Sequence, residues 1–405
     1  MPGSRRAPIR IIADQIRKRI IAELDGSSDQ TRPFAICADE AKDASGREQM
    51  SLNIRFVDDG GSVQERHVGL FHVSSTSADE LLRVLVKALE SNDLELNRIV
   101  GQCYDGASNM SGAFNGLQQR LREAGATRAI YVHCYAHRLN LVIVDTAKAI
   151  PEVSKFFGVV QALSVLIGAS AKRQHIFTEA QKQEFEPIIN ADEDFEDGDA
   201  PASTSMSEKR QQILKLQQIG VTRWSCRVMA LRAIRRTYKA LISALMKIAH
   251  DSTDAKHIAE AEGLLGQLLS FEFVLMMFLM TEVLDRCHCL SQQLLQRMDQ
   301  DLSNAAACVA ATIEILKNFR ANADQWKSLY DEAEAFALAN DVKVPKRDDK
   351  MNRRRDIRNW CPGPRRIDEN TTVYDWFRIN MFYIVLDRIV PELEVLISIT
   401  YTTVI

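Results

Sequence analysis

Over the first third of the chain the apolar residues fall in short runs and alternations; from Pro151 onward they fall almost wholly at helical spacing. Phe34–Ala38 is a short apolar run ending at Asp39, which predicts a buried strand. Ser51–Val57 alternates, with Leu52, Ile54 and Phe56 on one face. The polar turn Asp58-Asp59-Gly60-Gly61 follows, then Val63–Val73, rich in β-formers, so the two segments predict a hairpin. Ser77-Ala78-Asp79-Glu80 has capping-box spacing, and Leu81, Leu82, Leu85, Val86 and Leu89 behind it form the stripe of an amphipathic helix. Arg98–Tyr104 predicts a fourth strand ending at Asp105-Gly106, Phe114–Ala124 a helix, Ala129–His133 a fifth strand and Tyr135–Ala149 a helix.

Beyond Pro151, the segments around 152–182, 209–249, 254–300, 302–339 and 372–398 carry a 3.6-residue apolar period. Residues 186–208, acidic and then Ala-Pro-Ala-Ser-Thr-Ser, have the composition of a disordered loop. Residues 341–371, with three prolines and many basic groups, predict a second irregular connection. There is no internal repeat of fixed period. The organisation expected is an α/β unit over 1–149 followed by an all-helical unit over 150–405.

Composition narrows the classes. With 46% hydrophobic and 26% charged residues over 405 positions, the chain is ordinary globular protein, long enough for more than one core. The uncharged stretch at the apolar peak, Phe273 to Thr281, is far too short to span a bilayer, so no membrane partner is expected. The basic N-terminal residues lack the uninterrupted apolar core of a secretory signal. Eight cysteines are too few for a disulfide scaffold and fit a reducing compartment. The net charge of −3 conceals an acidic run (Asp192, Glu193, Asp194, Glu196, Asp197, Asp199) and a basic run from Lys343 to Arg366. The basic run suits either phosphate contacts or a nuclear import signal, and equally a solvated loop.

The strand order places one carboxylate after the first strand and another after the fourth. If those two strands are parallel neighbours, Asp39 and Asp105 face each other at one sheet edge. Carboxylates held that close repel unless a cation lies between them, and hard oxygen ligands favour Mg2+ or Mn2+. Such ions activate a water or 3′-hydroxyl and stabilise the leaving oxygen of a phosphodiester. The alternative is two ordinary polar residues at strand ends.

The surrounding residues favour the metal reading. Phe34-Ala-Ile-Cys-Ala-Asp39-Glu-Ala-Lys-Asp43, with Gln49-Met-Ser-Leu and Arg55-Phe-Val-Asp58 downstream, resembles the first catalytic block of hAT-family DNA transposases. Cys103-Tyr-Asp105-Gly-Ala-Ser-Asn-Met-Ser-Gly112 resembles the second. Tyr131-Val-His-Cys134-Tyr-Ala-His137-Arg-Leu-Asn-Leu is similar to the family's Cys-x-x-His block, and Thr222-Arg-Trp224-Ser to its Thr-Arg-Trp block. The flavour is that of the transposase-derived domain of zinc-finger MYM-type proteins. The resemblance implies an RNase H-like mixed sheet, two antiparallel hairpin strands followed by βαβ, interrupted by a large helical insertion. It also implies DNA cleavage and strand transfer by a carboxylate triad with Mg2+ or Mn2+, with Asp39 and Asp105 as the first two catalytic and metal-binding members. The third, a glutamate before Arg-x-Phe-Ser on a returning helix, has no match here. Glu392 and Glu394 lie in no comparable context. The expectation is therefore a chain cut short at its C-terminus, with metal binding weak or absent and catalysis lost.

Other residues stay open between two readings. Cys134 and His137 sit beside the active site in the family, and suit packing and hydrogen bonding or a metal ion, although no fourth-ligand pattern accompanies them and His133. Cys287-His288-Cys289 on an apolar helical stretch reads as core. Trp224 with Arg223, Arg227 and Arg235 suits stacking on an unpaired base with phosphate contacts around it; equally, Trp224 is a core anchor beside a solvated basic face. Two functions follow: a transposase-like nuclease, inactive in this chain, with DNA as partner and a homo-oligomer in the full-length form; or a non-catalytic nuclear module that binds DNA or protein. Both place the protein in the nucleus. An open apolar surface where the missing segment packs predicts low solubility or partner dependence for the isolated chain.

Overall fold

The computed structural model describes residues 6–26, 31–43, 45–191, 213–214, 216, 225–296, 302–350 and 370–402. Its contacts divide the chain into two compact units, residues 1–139 with 291–308 and 396–405, and residues 140–290 with 309–395.

The first unit is built on five strands: β1 (Phe34–Lys42), β2 (Glu48–Val57), β3 (Val63–His72), β4 (Ile99–Tyr104) and β5 (Ile130–His133). They lie in the order β3-β2-β1-β4-β5. The first three form an antiparallel meander; β1 with β4 and β4 with β5 are parallel. This is the mixed, open sheet expected of an RNase H-like fold. The meander turns are fixed by side chains. The Asp43 carboxylate accepts from the Ser45 and Arg47 backbone N–H groups, the Ser45 hydroxyl and Gln49, and Gly46 supplies the positive φ that closes the bend. Asp58 does the same for Gly60, Ser62 and Gln64, with Gly61 at φ +79°.

One face of the sheet carries Phe34, Ile36, Ala38, Met50, Leu52, Ile54 and Phe56, all buried. Against it pack α1 (Arg6–Asp25) through Ile20 and Leu24, α2 (Ala78–Glu90) through Leu81, Leu85 and Leu89, and, beyond the short α3 (Ser108–Ser111), α4 (Leu117–Glu123) through Leu117 and Leu121. The capping box at the start of α2 is half formed. Ser77 Oγ accepts from the Glu80 N–H at 3.4 Å, but the Glu80 carboxylate turns to Ser74 and Arg83 instead of closing back on Ser77.

The second unit is helical. It comprises most of α5 (Tyr135–Ala149), then α6 (Pro151–Gly168), α7 (Ala171–Ala191), α8 (Ser225–Arg236), α9 (Tyr238–Asp251), α10 (Ala255–Leu268), most of α11 (Phe271–Gln296), much of α12 (Leu302–Ala321), α13 (Ala323–Ala339), α14 (Val373–Phe377) and the larger part of α15 (Ile384–Thr402), the last two joined by a π-helical turn at Arg378–Tyr383. Phe271 and Phe273–Met280 on α11 are buried on every side, as a central helix requires. An aromatic cluster packs there: Trp326 and Tyr330 lie 5.7 Å apart, with Phe271 5.3 Å and Tyr374 4.9 Å from Tyr330 and Phe382 5.1 Å from Trp326. Arg347, in the basic run, lies 4.8 Å over the Tyr330 ring and is ion-paired to Asp331 and Glu334, so it serves packing. Among the described residues, no single helix is long and apolar enough to cross a membrane.

Candidate functional site at the sheet edge

The parallel pairing of β1 with β4 ends at Cys37 opposite Cys103. Two residues beyond that pair in sequence stand Asp39, still on β1, and Asp105, just past the end of β4. β1 does not end at Asp39 as its apolar run suggested. It continues to Lys42 because β2 still pairs with it, Asp39 opposite Ser51. Alternation along β1 puts Cys37 and Asp39 on the face away from the core of Phe34, Ile36 and Ala38. Asp39 is exposed, and its carboxylate accepts from the Glu40 N–H at 3.1 Å. Asp105 is half-buried. Its carboxylate caps its own loop by accepting from the Ala107 N–H at 3.1 Å, and its carbonyl accepts from the Tyr131 hydroxyl at 3.1 Å.

Glu40 is the residue that sequence reasoning passed over. Its Oε1 is buried and has no hydrogen-bond partner among the described residues. Burial, reinforced by the charges of Asp105, Glu48 and Asp39, pushes its carboxyl up to about 7, against a hydrogen bond with Asn109 that acts the other way. The edge thus gathers negative charge around Glu40, of which Glu48 is paired with Lys42 at 3.5 Å. Its one signal in the sequence was the Asp-Glu dipeptide, which does not say that the glutamate is covered.

The blocks around Asp105 and Cys134 converge by close packing. His133 ends β5, and its imidazole lies against Gly106, where a Cβ would stand 2.5 Å from its Cε1; only glycine fits there. Burial, with His137 and Arg138 nearby, lowers His133 to about 4 despite Asp105, and its Nε2 is buried without a partner among the described residues. His133 is therefore neutral at physiological pH. The His137 ring sits 5.4 Å from it. Cys134 donates its N–H to the Tyr104 carbonyl at 2.9 Å, starting the turn into α5. Beneath the carboxylates, the Cys103 thiol bonds with both Cys37 and Cys134. That contact draws Cys37 below the ordinary cysteine range, while its bonds and burial push Cys103 far above it.

The donor set at the edge is chemically suited to Mg2+ or Mn2+, since it consists of carboxylate oxygens. Its geometry is incomplete: among the described residues, no three His, Cys, Asp or Glu side chains converge closely enough to hold a metal ion. The residues present do not by themselves close a metal site.

The sequence-predicted nucleic-acid residues fare differently from one another. Arg223 and Trp224 lie outside the described residues. Arg227 on α8 is buried, its guanidinium 4.6 Å over the Phe157 ring, and Nε and Nη1 have no partner among the described residues. Arg235 is part-exposed, 4.1 Å over Phe278 and 4.0 Å from Glu332.

The sheet is mixed and open, Asp39 and Asp105 lie near the end of its parallel pair, and a large helical region follows. Comparison with known families agrees: residues 5–116 match the model described as DUF4371: ZMYM1/FAM200, RNase-like domain. Over residues 5–116 the chain is thus similar to that RNase-like domain. It is also similar to the mouse 52 kDa repressor of the inhibitor of the protein kinase, 22% identical over 319 residues, covering 77% of this chain and 38% of that protein. The human protein of the same name is 22% identical over 320 residues, again covering 77% and 38%. The chain thus spans well under half the length of these relatives.

Proposed function

We propose that this chain is a transposase-derived nuclear protein that binds DNA through its RNase-like unit. Asp39 and Asp105 are the retained carboxylates of an ancestral site for metal-dependent strand cleavage. The observation that carries this reading is the β1–β4 register, which aligns the two aspartates at the sheet edge within the matched RNase-like domain. Reading the site as weak in metal and inactive rests on its donors: two carboxylates and a covered Glu40, with no third ligand converging among the described residues. Two-ion phosphodiester chemistry needs both the attacking and the leaving oxygen clamped, and losing one ligand removes most of that stabilisation. Homo-oligomerisation belongs to the proposal for the full-length form.

The test is incubation of the full chain with labelled single-stranded and duplex DNA in Mn2+. The expected result is salt-sensitive binding without cleavage. Cleavage abolished by Asp39→Ala would overturn the inactive reading. Absence of binding at low salt would overturn DNA as partner and turn the search to proteins.

A further inference from the structure

The loop after β4 carries one feature that neither the carboxylates nor the core explains. Phe114 is 87% exposed, the most exposed large apolar side chain among the described residues. Every other phenylalanine whose exposure is described is buried or half-buried. Leaving such a ring in water forgoes the free energy of burying it. The ring is not on a loose tip. Gly116 donates its N–H to the Gly112 carbonyl at 3.0 Å, and Gly112 donates to Ser108 at 3.1 Å. Arg120 Nε holds the Asn115 carbonyl at 3.0 Å, and Gln118 reaches the Ser111 and Gly112 carbonyls. The two glycines approach so closely that a Cβ on Gly116 would stand 2.4 Å from the Gly112 nitrogen. At its other end the loop is tied to the candidate site, through Ala107 N–H to the Asp105 carboxylate and Ser111 Oγ to the Gly106 carbonyl at 3.1 Å. A short strapped segment therefore runs from Asp105 to an aromatic ring held out in solvent.

We propose that Phe114 is a stacking platform for an unpaired base of a nucleic-acid strand passing the Asp39–Asp105 edge. The proposal rests on the nucleic-acid reading above and names a residue for it. The occupant follows from the size of the feature. Ala113 and Asn115, its neighbours in the turn, are exposed and add no second large apolar group. A protein interface needs a patch of several apolar side chains, whereas a base needs one ring face. Stacking ignores base identity, so the contact would favour single-stranded or distorted DNA over intact duplex without reading sequence.

The test measures binding of the full chain to a labelled single-stranded oligonucleotide, comparing wild type with Phe114→Ala, Phe114→Leu and Phe114→Trp. Because the ring is exposed, melting temperatures should match and serve as the folding control. Stacking predicts that Ala weakens single-strand binding roughly ten- to a hundredfold, that Leu does not restore it, and that Trp does. Duplex affinity should change little. Equal affinity of wild type and Phe114→Ala, with nucleic-acid binding intact, would overturn the stacking role alone. Retention of affinity by Leu would mean an apolar contact without stacking, which also overturns it. A wild type that binds no nucleic acid would bring down both this role and the reading beneath it.

Discussion

Glu40 shows how a single covered carboxyl reports on the whole site. Its folded-state value of about 7 lies above the ordinary glutamate range, so the folded protein holds that proton more tightly than the unfolded chain does. Stability should therefore fall as pH rises from about 4.5 toward 7, with the penalty fully present above 7. Glu40→Gln removes the titration. In chelator, the variant should be more stable than wild type at pH 8 and gain nothing at pH 4.5, as read by urea unfolding. An unchanged difference across that range would mean that Glu40 is not held against its neighbours' charge. At this scale the parallel pairing of β1 with β4 was legible in the strand order, whereas the end of β1 was not: the strand runs past Asp39 to Lys42. Nor was the shifted Glu40 legible, because only the fold covers its carboxyl and brings the charges of Asp105 and Glu48 and the Asn109 side chain to it.

Among elements, the strands and α2 are where the alternation and stripe put them, while the longer helical stretches divide at signals that periodicity does not register. Asp254 caps α10 where a new apolar segment was expected to start, whereas Asn322 caps α13 inside the stretch 302–339 that reads as continuous; each accepts from the N–H two residues on. The expected helix at Phe114–Ala124 begins only at Leu117, since the Gly112–Gly116 turn takes its first residues. α1 was not expected, although Ile9, Ile12, Ile16, Ile20 and Leu24 share one helical face; Ile9, Ile11, Ile12 and Ile16 are exposed, and only the C-terminal half, through Ile20 and Leu24, reaches the core. Packing rather than capping should dominate α2. Leu85 is fully buried, and Leu85→Ala should cost about 2–5 kcal/mol in denaturant unfolding. Ser77→Ala, losing a long 3.4 Å cap bond, should cost about 1 kcal/mol or less. Equal losses would mean that the helix is held by its end and not by its stripe.

For the whole molecule, a domain matched over residues 5–116 precedes a helical region, and the proposed ancestral metal edge lies in the first. Charge crowding at that edge makes one consequence direct: a divalent cation that sits between Asp39 and Asp105 binds the folded state only, and so raises its melting temperature by mass action. The decisive measurement is thermal unfolding of the full chain against rising Mn2+, with Asp39→Ala and Asp105→Ala alongside. The account predicts a dose-dependent rise at millimolar Mn2+ in the wild type, small because few ligands converge, and its loss in both variants. No rise in the wild type, or an equal rise in the variants, would contradict it.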